Sequence, residues 1–128
     1  MPPRLLPSDL ELRIPPTPAH PVRLYTRHMA ANTRFPRHTH PWAQVAYSHT
    51  SMLRVQAGDT AWVVPPSRAI WIPPGIEHEV WVVAAADLRT LYADPSVVTG
   101  VLMQCRVMEV SPLLRELIAA MDVKRPLP

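Results

Sequence analysis

The chain has 128 residues, 48% of them hydrophobic, which suits one compact domain with its own buried core. Its formal charge of +3 comes from arginines scattered between Arg4 and Arg125, without a basic stripe or aromatic interleaving, so direct nucleic-acid contact is not indicated. No apolar run approaches the roughly 20 residues needed to cross a bilayer, residues 1–21 lack the apolar stretch of a signal peptide, and a lone Cys105 excludes an internal disulfide; a cytoplasmic chain without a membrane partner is expected.

Residues 1–21 carry Pro2, Pro3, Pro7, Pro15, Pro16, Pro18 and Pro21, and read as an extended proline-rich arm. Seventeen prolines against three glycines argue against long helices, because proline removes a backbone donor and clashes with the preceding turn. Short segments rich in Val, Tyr, Trp, Thr and Ile follow instead, at 22–29, 43–49, 52–56, 60–64, 69–72, 79–83, 88–92 and 106–110, eight expected strands in all. Ala57-Gly58-Asp59 fits a hairpin turn, and the Pro65-Pro66 and Pro73-Pro74-Gly75 runs punctuate the strands after it. Eight closely spaced strands suggest a barrel or sandwich spanning 22–110, whose closure leaves few exposed edges.

Between the first two of these strands lies His38-Thr39-His40, with Gln44 four residues on. Alternate strand residues share a face, so both imidazoles and, if the strand continues, the Gln44 amide are expected to converge. His78, after the turn at Gly75, is placed to return a third nitrogen, giving three neutral imidazoles and one amide oxygen for a divalent ion. Glu77 and Glu79 have the opposite parity to His78 and are expected to face away. His20, His28 and His49 stand alone and carry no such pattern.

The final element is helical. Ser111 suits an N-cap and Pro112 the first helical position, while Leu113, Leu114, Leu117, Ile118 and Met121 recur on one face, so 111–121 is expected as an amphipathic linker or dimerisation helix.

The spacing His-x-His-x3-Gln, followed by Pro-x-Gly-x-x-His, resembles the two motifs of a cupin, with Gln44 where many cupins have Glu. The stretch from Val64 to His78, together with Ser111 to Ile118, is similar to the amino-terminal cupin domain of AraC-family transcription regulators. That resemblance implies an all-β fold, a cupin-type double-stranded β-barrel (jelly roll) with a C-terminal amphipathic α-helix. It implies a regulatory domain that senses a small-molecule effector, a metal ion or both, forms a homodimer, and meets DNA only through a C-terminal helix-turn-helix domain missing from this chain. His38, His40, Gln44 and His78 are then the metal candidates (Zn, Ni, Fe or Mn), and Trp42, Tyr47, Trp62, Trp71 and Trp81 the candidates to frame a ligand pocket. The other reading is a small metal-dependent cupin enzyme, a dioxygenase or isomerase, against which stands the missing carboxylate: Gln44 is no general base.

Overall fold

The computed structural model describes residues 4–5, 14–99 and 103–121. Ten strands form two five-stranded sheets: β1 (Arg4–Leu5), β2 (Val22–Met29), β3 (Thr33–His38), β4 (Ala43–Ser48), β5 (Leu53–Ala57), β6 (Thr60–Val64), β7 (Arg68–Ile72), β8 (His78–Val82), β9 (Ala86–Ala93) and β10 (Arg106–Glu109). One sheet runs β1-β3-β8-β5-β6 and the other β10-β7-β4-β9-β2. Every pairing is antiparallel except the two-residue parallel contact of β1 with β3. The jelly roll expected from the sequence is the fold. Most of the proline-rich arm lies outside the described residues.

The core sits between the sheets. Phe35, Leu53, Val55, Val80 and Val82 project from the first sheet onto Met29, Ala46, Ile70, Ile72 and Leu88 of the second, all but excluded from water. Burying such side chains stabilises the fold by about 1.5–3 kcal/mol each before conformational entropy is set against it.

The helix α1 (Pro112–Ala120) starts as read, with the Ser111 hydroxyl accepting from the Leu114 amide at 3.1 Å. It packs on the outer face of the second sheet, where Ile118 is buried against Leu24, Tyr47 and Ala69, with Leu114 and Val45 alongside. Its apolar residues do not all share that contact. Leu113, Leu117 and Met121 are 70%, 52% and 40% exposed, a separate stripe spaced four residues apart along the helix.

Two departures from the sequence reading matter for the site. Thr33–His38 is a strand that its composition concealed, because Arg34, Pro36 and Arg37 dilute the β-formers Thr33 and Phe35. Nor does one strand carry His38, His40 and Gln44: β3 ends at His38 in the first sheet, and β4 begins at Ala43 in the second. Pro41, lacking an amide hydrogen, stands in the crossover between the sheets, where no ladder bond is asked of it.

Candidate metal centre

Backbone irregularities, rather than strand parity, bring the histidines together. On β3 Phe35 pairs with Val80 and His38 with His78, so three steps along β3 match two along β8. That extra residue is a β-bulge next to Pro36, and it lets Phe35 and His38 face the interior although they are three apart. His78, at the start of β8, lies directly opposite His38. His40 comes from the crossover, whose carbonyl accepts from the Gly75 amide at 2.9 Å. Gly75 has φ +81°, a left-handed conformation that disfavours any side chain, so the Pro73-Pro74-Gly75 turn ties the His40 segment to the approach to His78.

The ligand atoms of His38, His40 and His78 lie within 4.8 Å of one another. His40 and His78 are 4% and 1% exposed. Each ring is fixed by its own backbone: Nδ1 of His38 meets Pro36 O at 2.7 Å, that of His40 meets Trp42 O at 2.9 Å, and that of His78 meets Ile76 O at 2.8 Å. A carbonyl only accepts, so each Nδ1 carries the hydrogen, and each Nε2 presents a lone pair. Metal-binding imidazoles are oriented by this same kind of outer hydrogen bond.

Gln44 projects inward from β4, and its Oε1 lies 3.0 Å from His40 Nε2. Two acceptors facing each other repel unless a cation lies between them or the amide turns its NH2 group to the ring. The donor set fits a divalent transition metal on chemical grounds: three nitrogen lone pairs and one amide oxygen converge, with ring positions already fixed. The His40 ring is clasped, with Trp42 stacked at 5.0 Å and 8° on one side and the edge of Tyr92 at 5.3 Å.

The aromatic residues singled out in the sequence are dispersed. Trp42 touches His40, and Trp62 packs against the inner core from β6. Tyr47 lies under α1 on the outer face of the second sheet, and Trp71, between the inward Ile70 and Ile72, faces outward too. Trp81 is on the outer face of the first sheet, under the Arg54 guanidinium at 5.1 Å and donating to Asn32 Oδ1 at 3.1 Å. The expectation that these three frame a pocket with the histidines is therefore corrected: both faces of each sheet are partly covered, and an aromatic has two places to go. Tyr92, overlooked in the sequence, is instead at the site, as the cross-strand partner of Gln44. A cleft of about 410 Å³ opens nearby, lined by Ala57, Trp62, Ile76, Met103 and Cys105 among others, with Ala57 directly opposite His78. Partial burial pushes the Cys105 thiol above its ordinary range.

No carboxylate of the described residues joins the histidines. Glu77 is exposed and bonded to Arg37 at 2.7 Å, which favours the charged guanidinium, and Glu79 faces Arg34 across the outer surface at 3.8 Å.

Residues 20–127 match the AraC-like ligand binding domain family. The chain belongs to that family. Over 83 residues it is 39% identical to the HTH-type transcriptional regulator NimR of Escherichia coli (strain K12), covering 65% of this chain and 30% of that protein. Among solved structures, the AraC-like domain resembles an RmlC-like cupin of Shewanella frigidimarina with a TM-score of 0.55 at 15% identity, covering 61% of this chain and 70% of that one. An oxalate decarboxylase of Bacillus subtilis gives 0.52 at 18% identity, with coverage of 66% and 24%. At such identities the likeness is one of fold. No helix among the described residues is long and apolar enough to cross a membrane.

Proposed function

We propose that this AraC-like domain is the sensing half of a transcription regulator, in which a divalent transition metal held by His38, His40, His78 and Gln44 forms part of the effector site. The observation that carries the reading is the convergence of three imidazoles whose Nδ1 hydrogens are all committed to backbone carbonyls. When bound, the metal supplies a Lewis-acid centre for a ligand oxygen or nitrogen. The chain's own residues orient that ligand: Trp42 and Tyr92 hold the His40 ring, and Gln44 meets it from the second sheet.

Strand β4 connects this site to the helix. Gln44 projects inward, while its neighbours Val45 and Tyr47 project outward onto the cluster that seats Leu114 and Ile118. A displacement of Gln44 is thus one strand away from the helix. An effector shifts the helix only to the extent that it binds one arrangement more tightly than the other. The exposed Leu113, Leu117 and Met121 stripe is the proposed contact with a second copy, in a homodimer related by a two-fold axis. DNA contact falls to a helix-turn-helix portion of a longer chain, by analogy with the Escherichia coli relative, of whose length this chain spans about a third. The enzyme reading is weakened because no carboxylate of the described residues stands at the site as a base.

Elemental analysis of untagged protein tests the proposal. A stoichiometric transition metal, lost in His38→Ala and His78→Ala, is expected; protein that stays metal-free at saturating supply refutes the metal site, and a native chain without helix-turn-helix segments beyond residue 128 refutes the regulator.

A further inference from the structure

Among the described residues, charge inside the barrel is one-sided. Strand β2 is an edge of the second sheet and pairs with β9 in strict register: Arg23 opposite Tyr92, Tyr25 opposite Thr90, Arg27 opposite Leu88. Directly opposed residues share a face, and Leu88 belongs to the inner core, so Arg23, Tyr25 and Arg27 all stand on the inner face. The Arg27 guanidinium reaches across to the first sheet, 4.9 Å from the centre of the Phe35 ring. Arg23 lies in one cross-strand row with Tyr92 and Gln44, and therefore about two strand spacings, roughly 10 Å, from Gln44 along the inner face. Its Nε is buried without a hydrogen-bond partner, and no carboxylate of the described residues pairs with it.

The acidic residues that the structure describes lie elsewhere. Glu79 and Asp87 alternate with inward-facing Val80, Ala86 and Leu88 and so face outward, Glu77 pairs with Arg37 at the surface, Glu109 with Arg68, and Asp94 caps the short 3-10 turn at Pro95–Val97. The metal donors are themselves neutral, because Gln44 brings an amide rather than a carboxylate. A divalent ion there keeps its full charge within a shell of buried side chains, with the Arg23 guanidinium on the same wall. Such charge is costly in a low-dielectric interior unless an opposite charge is brought to it.

We infer that the effector of this barrel is a small organic anion, a carboxylate in its simplest form, with its charged group between the histidine cluster and the inward arginine Arg23. The inference rests on the metal site proposed above and adds the ligand's class. Gln44 is then a selectivity device: a Glu at this position neutralises the site internally and competes with the ligand, whereas the amide leaves that role to the effector. Arg23 fixes the anion's orientation through planar, charge-assisted hydrogen bonds.

The test uses the 128-residue chain loaded with cobalt(II), read by its visible spectrum, and titrated with acetate or with acetamide, a neutral analogue of the same shape. Acetate is expected to shift the cobalt bands and acetamide to leave them unchanged. Arg23→Gln and Gln44→Glu should each weaken acetate at least tenfold while still taking up cobalt, and Arg23→Lys should recover part of the loss. Equal responses to acetate and acetamide, or acetate affinity untouched in both variants, overturn the inference while leaving the metal site intact. Failure to take up cobalt refutes the metal site; the anion inference is then decided by thermal shift of the metal-free protein, where acetate giving no more stabilisation than acetamide refutes it too.

Discussion

Leu117 and Ile118 are adjacent in sequence and differ in environment, which lets one pair of substitutions separate folding from assembly. Ile118 is 2% exposed among Leu24, Tyr47 and Ala69, whereas Leu117 is 52% exposed on the far side of α1. Ile118→Ala removes three carbons from a closed contact; at about 0.8 kcal/mol per carbon the lost transfer energy is about 2.4 kcal/mol, and the cavity raises the total to about 3 kcal/mol. For a domain of this length that lowers Tm by roughly 10 °C. Leu117→Asp removes side-chain surface already half in water, so its cost to the monomer is about 1 kcal/mol or less. A charge in the Leu113, Leu117 and Met121 stripe should nevertheless split a dimer seated there. Urea unfolding gives the stability and sedimentation velocity the mass: Ile118→Ala is expected to be less stable, and Leu117→Asp to be a folded monomer at concentrations where the parent is a dimer. If Leu117→Asp unfolds as readily as Ile118→Ala, the division of the helix into a seated and an open face is wrong. If it remains dimeric, assembly uses another surface.

Zinc at about a thousand times its dissociation constant should stabilise the fold by about 4 kcal/mol, with the gain reversed by a chelator and absent in His40→Ala; an unchanged Tm on chelation excludes a site that binds only the folded state. Ser111→Ala removes the oxygen that accepts from the Leu114 amide and should cost about 1 kcal/mol in urea unfolding, and no measurable loss shows that the cap adds nothing beyond water. The raised Cys105 pKa predicts slow alkylation by iodoacetamide at neutral pH, accelerating only above the ordinary thiol range, because the thiolate is the nucleophile; a rate already at its plateau near pH 8 contradicts it.

The barrel was legible because turn residues and β-branched runs are local signals. Pro73-Pro74-Gly75 and Ala57-Gly58-Asp59 punctuate the chain where the strands end, and Ser111-Pro112 starts the helix. The histidines were legible as a set, but for a reason that does not hold: no single strand aims them. Their convergence depends on a bulge, a crossover and a glycine turn, none of which shows in residue parity. The interior arginines were unreadable for a related reason. In β2 the apolar Val22 and Leu24 alternate with Arg23 and Tyr25, which suggests the arginines face water, yet Leu24 lies under α1 on the outer face, and the arginines take the inner one. A helix laid on the outside of a sheet reverses the usual meaning of alternation. Tyr92 was missed because its partner, Gln44, is 48 residues away and is brought alongside only by sheet pairing.

The bulge beside Pro36 decouples the aim of His38 from the exact chain length between it and Phe35. Pro36 and Arg37 occupy the loop of slack, so replacing either leaves the ring aimed inward, and deleting one of them makes Phe35 and His38 alternate residues of a regular strand, which share the inner face opposite Val80 and His78. Two sequences that differ by one residue in this stretch can thus both keep the centre, which makes a one-residue gap here less informative than the loss of a histidine when sensing and non-sensing members of such a lineage are told apart.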